Sequence, residues 1–216
     1  MTTLNAENLT LRDIHRFLGL KMQLNGSFTP LLFIESLTEF EQQELIQIRD
    51  DFVNYLTAAK VSEGLVKALT TFPLMRLAGF YRFPIEIKLE EGIEKISIED
   101  EDIVITGRFD ILAINQTAPE GSKPFLVLVI ESKNSSIDVS AGLPQLLTYA
   151  FKSLAYQESV WGLVTNGLRY QFVYLRQATP PTYQLMPDLN LLETEGAIGL
   201  LQVMKAICKL QIIELI

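Results

Sequence analysis

Apolar residues recur along this chain with two different periods, and the change between them divides it. From Thr38 onward the spacing is helical. Phe40, Leu45, Ile48, Phe52, Tyr55 and Leu56 line one face, and Thr38-Glu39-Phe40-Glu41 has the form of a capping box, which predicts an amphipathic helix through about Ala59. A shorter helix is predicted over Thr10 to Leu18, with Thr10 as N-cap and Asp13 in the first turn. Between them Gly26 to Pro30 is a turn-rich break, and Leu31-Leu32-Phe33-Ile34 reads either as a short strand or as a buried connector. A third helix is predicted from Ser62 to Thr71. It stops ahead of Pro73, because the residue before a proline disfavours helical backbone.

From Tyr81 the period becomes two. Phe83, Ile85, Ile87 and Leu89 alternate with Pro84, Glu86, Lys88 and Glu90, the pattern of a strand with one wet face, and Gly92 is expected to turn it toward Ile93 to Ile98. Ile103 to Ile114 predicts the next strand, with Asp110 on the face of Arg108 and Leu112. After a loop rich in Pro, Gly and Ser, Asn115 to Pro124, the segment from Phe125 to Lys133 is apolar at consecutive positions until Glu131. That predicts a central strand covered on both faces. Helical spacing resumes at Ser140 and runs through Leu154, with Pro144 in the first turn. Val160 to Thr165 and Leu168 to Leu175 flank Asn166-Gly167, a two-residue hairpin signal. Tyr183 to Met186 predicts an edge strand, and Ile198 to Leu210 a closing amphipathic helix.

No repeat, low-complexity segment or linker interrupts this order, so the 216 residues are read as a single domain. It divides into an N-terminal helical extension over 1–60, a core over 61–176, and a C-terminal loop, edge strand and helix over 177–216. Hydrophobic content of 48% with 20% charged residues is that of a globular chain. The N-terminus lacks the basic flank and apolar core of a signal peptide, and no apolar run approaches the roughly 18 residues that span a bilayer, so a cytoplasmic location is expected. Cys208, the single cysteine, lies among Val203, Met204, Ile207 and Leu210 and reads as a buried, inert thiol. His15 has no second histidine or cysteine with which to share a metal. A net charge of −8 excludes a generally basic nucleic-acid-binding surface, though a local basic groove is compatible with it. The acidic runs Glu90-Glu91 and Glu99-Asp100-Glu101-Asp102 read as solvated turns.

The chemistry concentrates where the apolar strand ends. Residues two apart on a strand point the same way, so Glu131 and Lys133 leave one face together, and Asp110 reaches the same pocket if its strand lies alongside. Two carboxylates and an amine suit a Mg²⁺-type site, in which hard oxygen ligands hold an ion that keeps waters and accepts substrate phosphate oxygens. Such an ion lowers the pKa of a bound water and neutralises charge developing on phosphorus, and the lysine orients the water or stabilises the transition state. Glu63, near the start of its helix, is on its own a carboxylate facing the positive end of the helix dipole. Gln145 and Tyr149, four apart, share one helical face, with Lys152 on the next turn.

Taken in order, these elements are a helix with Glu63, a strand, a strand with Asp110, an apolar strand ending Glu131-Ser132-Lys133, a helix with Gln145 and Tyr149, and a strand ending at Thr165-Asn166-Gly167. This order resembles the PD-(D/E)xK nuclease superfamily over roughly Ser62 to Leu175. Gln-x-x-x-Tyr after the signature resembles the helicase-associated nucleases and the nuclease region of type I restriction motor subunits. Phe109 stands where the signature has proline. The resemblance implies an α/β, restriction-endonuclease-like fold: an αβββαβ core with a central mixed sheet flanked by helices, here with extra N-terminal helices and a C-terminal helix. It also implies Asp110 and Glu131 as ligands of Mg²⁺ or Mn²⁺ together with the Ser132 carbonyl, Glu63 as an auxiliary ligand and Lys133 as the catalytic amine. Gln145, Tyr149, Arg108 and Lys152 would support the site or contact nucleic acid. The expected activity is hydrolysis of DNA. The alternatives are a nuclease-fold binding or scaffold module that no longer turns over usefully, and a nuclease acting on RNA or branched junctions. A homodimer or a separate specificity or motor subunit is the expected partner.

Overall fold

The computed structural model of the protein describes residues 2–93, 95–98, 101–116 and 125–213. Most of the expected loop Asn115 to Pro124, and the pair Glu99-Asp100, lie outside the described residues. In chain order the elements are β1 (Thr2–Asn5), α1 (Leu11–Phe17), β2 (Lys21–Gln23), α2 (Glu39–Ala58), α3 (Glu63–Val66), α4 (Phe72–Ala78), β3 (Ile85–Leu89), β4 (Ile96–Ile98), β5 (Ile103–Thr106), β6 (Ile111–Asn115), β7 (Phe125–Ser132), α5 (Leu143–Ser153), β8 (Ser159–Thr165), β9 (Arg169–Arg176), β10 (Thr182–Leu185), β11 (Leu189–Asn190) and α6 (Thr194–Ile213).

Both expected capping boxes form. Thr10 and Asp13 exchange side-chain to backbone hydrogen bonds at the start of α1, and Thr38 and Glu41 do the same at the start of α2. Leu31 to Ile34 is a connector rather than a strand, with Leu32 buried and Phe33 exposed. The helix after Ser62 does not stop before Pro73. A five-residue π-turn, Lys67–Thr71, joins α3 directly to α4, which carries Pro73 in its first turn. Pro73 stands in the first turn of α4, where its missing N–H and fixed φ are tolerated.

An eight-stranded mixed sheet runs β2-β10-β9-β8-β7-β6-β3, with β11 also on β9. β3, β6 and β7 are antiparallel neighbours, and β8 lies parallel to β7 with α5 as the crossover. A small sheet, β1-β5-β4, stands apart. The expected strand Ile103 to Ile114 is thus split between two sheets. The backbone nevertheless stays paired through the break: Gly92 bridges Arg108, Glu90 N–H donates to the Asp110 carbonyl and Ile93 N–H to the Gly107 carbonyl. Gly92 therefore continues a long bent ribbon instead of turning it, and Asp110 sits at the bend just ahead of β6. In the β8–β9 hairpin Thr165 opposes Tyr170 and Asn166 N–H donates to the Arg169 carbonyl. The two central residues are consequently Gly167 and Leu168, and Gly167 takes the positive φ of 85°. β10 is not an edge, because β2 pairs outside it. The N-terminal 60 residues accordingly supply strands to both sheets as well as helices.

Two apolar layers cover the large sheet. One packs α2, α3, α4 and α6 through Phe52, Val66, Met75 and Leu200 on Ile111, Leu128, Ile130 and Phe172; the other packs α1, α5 and the small sheet on Leu112, Val129, Val164 and Val173. β7, sandwiched between them and between β6 and β8, is buried from Leu126 to Ser132, as its unbroken apolar run predicts. Cys208 is buried in the first layer, and its thiol is pushed up to about 11 by that burial. His15 meets the Tyr183 hydroxyl at 2.9 Å. No helix among the described residues is long and apolar enough to cross a membrane.

Candidate active site

At the C-terminal end of β7 the apolar run gives way to Glu131 in the middle of the molecule, 1% exposed. Its Oε1 accepts a hydrogen bond from Lys133 Nζ at 2.7 Å, while Oε2 is a buried atom with no partner. A buried carboxylate with one oxygen unsatisfied is costly in its charged form. Burial first, and then the negative charge of Asp110, push the Glu131 carboxyl up to about 8 against the opposing pull of Lys133.

Asp110 joins this group from the ribbon's bend. Its Oδ2 accepts from the backbone N–H of Ser132 at 2.7 Å, which ties the start of β6 to the end of β7, and its Oδ1 accepts from Lys67 Nζ at 2.9 Å. The same amine lies 2.8 Å from Glu63 Oε1, so Lys67 bridges the two carboxylates. Burial acts to lower the Lys67 ammonium, but the hydrogen bonds it donates to Glu63 and Asp110 outweigh it and the group is raised. Sequence reasoning missed Lys67. The available signal was its position four residues after Glu63, the spacing at which a glutamate and a lysine meet on a helix.

Gln145 and Tyr149, both 4% exposed, project from α5 beneath the bend. The Tyr149 hydroxyl accepts from Arg108 N–H at 3.0 Å and donates to the Arg108 carbonyl. Gln145 donates Nε2 to that carbonyl at 3.3 Å and accepts from Lys133 Nζ at 3.3 Å. The pair thus holds the Arg108 backbone and the Lys133 amine in place. Burial and the nearby Glu131 charge raise the Tyr149 phenol, which stays protonated as a donor. Gly142, just before α5, makes this packing feasible, since a Cβ there would lie 2.6 Å from Val164 Cγ1 and 3.1 Å from Glu131 Cγ.

The remaining expected residues fall outside the knot. The Arg108 side chain is exposed and lies 3.7 Å from Glu90, so only its backbone takes part. Lys152 is half-buried in the last turn of α5, about 10 Å along the helix axis from Gln145. Asp110 does not lie within a strand as expected, yet the ribbon's bend delivers it to the same pocket. Among the described residues no three His, Cys, Asp or Glu side chains gather closely enough to hold an ion. Lys67 stands between Glu63 and Asp110. The unpartnered acceptor in the pocket is Glu131 Oε2, with Asp110 Oδ1 held by Lys67 and Lys133 on the other Glu131 oxygen. No family model and no curated protein matches the chain.

Proposed function

We propose that the protein is a metal-dependent nuclease of the PD-(D/E)xK superfamily, a cytoplasmic enzyme that hydrolyses DNA phosphodiester bonds. The observation that carries this reading is Glu131: a carboxylate set at the end of a buried strand, one oxygen on Lys133 and the other unpartnered, with Asp110 close enough to raise its pKa. The fold part is supported by the run β3, β6, β7, α5, β8, three antiparallel strands followed by a helix and a parallel strand, with α3 and α4 in front.

Glu131 Oε2 and the Asp110 carboxylate are hard oxygen donors of the kind Mg²⁺ or Mn²⁺ takes. Glu131 and Asp110 would hold it with the Ser132 carbonyl, and when bound it supplies a water of lowered pKa and positive charge opposite the phosphate. Lys133, held by Glu131 and Gln145, orients the attacking water or stabilises charge on the phosphate oxygens. Tyr149 and Gln145 fix the backbone that carries Asp110. Lys133→Ala and Asp110→Ala should abolish cleavage of plasmid and single-stranded DNA in Mg²⁺ and Mn²⁺ while circular dichroism stays unchanged. Cleavage by either variant at the wild-type rate, or none by wild type under any condition, defeats the enzyme reading. RNA and branched junctions belong in the same substrate panel, and a partner copy or a separate motor or specificity subunit would direct the choice.

A second reading, a nuclease-fold binding module, is favoured by one observation: both oxygens of Asp110 are already engaged by protein donors. It predicts a folded protein that cleaves nothing in the panel.

A further inference from the structure

Lys67 lies in the candidate site without a role in the chemistry set out above. Its side chain is 13% exposed, and the amine meets Asp110 Oδ1 and Glu63 Oε1 at nearly equal distances, 2.9 and 2.8 Å. A cation shared by two carboxylates stands where a divalent ion would be expected to stand. Both oxygens of Asp110 accept from the protein, Oδ2 from the Ser132 N–H and Oδ1 from Lys67. A metal that takes Asp110 through Oδ1 meets the atom Lys67 holds. Glu131 Oε2, buried and unpartnered, is an independent sign that a ligand belongs there.

We infer that Lys67 is the resident cation of the metal-free site, and that a divalent ion and the Lys67 ammonium compete for Asp110 Oδ1. This inference rests on the metal-dependent reading proposed above. Three carboxylates, Glu63, Asp110 and Glu131, face two ammoniums, Lys67 and Lys133, so the metal-free pocket is close to neutral. An incoming ion meets a positive charge already in place and must displace its hydrogen bond from Asp110, which weakens binding by competition as well as repulsion. Lys67 then keeps its bond to Glu63, four residues away on the same helix, so the displaced amine remains tethered near the site. Glu63 in this arrangement anchors the displaced lysine and need not ligate the ion.

The test is titration with Mn²⁺ alone, with no nucleic acid, followed by the electron paramagnetic resonance signal of the free ion. Lys67→Met, which keeps the chain length and removes the charge, should bind Mn²⁺ about tenfold more tightly than wild type, the effect of removing one adjacent charge. Lys67→Gln should move in the same direction, and Lys67→Arg should stay at the wild-type value. The metal-free Lys67→Met protein should also unfold at a lower temperature and gain more from saturating Mn²⁺ than wild type does, because its carboxylates have lost their counter-ion. Equal or weaker Mn²⁺ binding by both neutral variants overturns the inference. Asp110→Asn separates its failure from that of the metal reading: binding by wild type that depends on Asp110 but is indifferent to Lys67 overturns the competition alone. If wild type and the neutral variants show no Asp110-dependent Mn²⁺ binding at all, both fall.

Discussion

The molecule contains two lysine–glutamate pairs of similar depth that do opposite things. Lys205 of α6 reaches Glu41 of α2 at 2.5 Å, with side chains 16% and 15% exposed; Lys133 reaches Glu131 at 2.7 Å, with side chains 22% and 2% exposed. The difference lies in the second carboxylate oxygen. Glu41 Oε2 accepts from the Thr38 N–H at 2.8 Å, so both its oxygens are satisfied. Burial works against the charged form of Glu41, but the Lys205 and Thr38 hydrogen bonds prevail and its carboxyl is lowered. Glu131 Oε2 has no donor, a second carboxylate stands nearby, and its carboxyl is pushed up to about 8. One pair ties the N-terminus of a helix to its neighbour; the other leaves a buried carboxylate oxygen without a protein donor.

The widest separation between the pairs is in activity. Lys133→Met should reduce metal-dependent cleavage about a thousandfold, the scale of a positioned charge or proton donor in the transition state, while Lys205→Met leaves cleavage rates at the wild-type level. In urea denaturation the order reverses. Losing Lys205 should cost about 2 kcal/mol, because it strips a charged hydrogen bond from a carboxylate that stays ionised. Losing Lys133 should cost less than about 1 kcal/mol, since Glu131 can take up a proton and remain neutral in its place.

The pairs should also respond to pH with opposite sign. A carboxyl raised above its unfolded value of 4.5 stabilises the fold fully below that value, and the contribution is lost as pH rises through about 8. Metal-free protein should therefore lose stability from about pH 5 to 8, and Glu131→Gln should flatten that slope. Glu41, lowered from 4.5, contributes above that value, and the contribution is lost as pH falls through its folded pKa. Glu41→Gln should flatten only the acid limb, as followed by thermal unfolding across buffers. The smallest effect belongs to Thr38→Ala, which removes the side-chain half of the capping box and should cost about 1 kcal/mol in urea with no change in cleavage.

The Glu41 pair was half legible in the sequence and the Glu131 pair almost wholly so. Thr38 and Glu41 carry a local pattern that forms as read, whereas Lys205 is 164 residues from Glu41 and nothing local announces it. Glu131 and Lys133 sit two apart on a strand whose apolar run gave its depth, and Gln145 and Tyr149 share a helical face. What failed were boundaries set by tertiary pairing. Asp110 looks like mid-strand because the ribbon stays paired through the bend, and only its division between two sheets separates β5 from β6. Asn166-Gly167 has the letters of a turn, but register with β9 moves the centre to Gly167-Leu168. Lys67 lies inside the expected helix, but nothing local sets it opposite Asp110, 43 residues away.

The π-turn from Lys67 to Thr71 has a consequence for insertions and deletions. Glu63 ahead of it and Lys67 at its first position meet at Asp110; after it, Leu74, Met75 and Ala78 fill the core. Each residue of an α-helix turns the chain by about 100°, so the extra residue in this loop of helix sets the angle between those two groups. The placement of Glu63 and Lys67 is thus written in the length of the segment as much as in its letters. Removing one residue there would leave both side chains in the sequence and swing them away from Asp110.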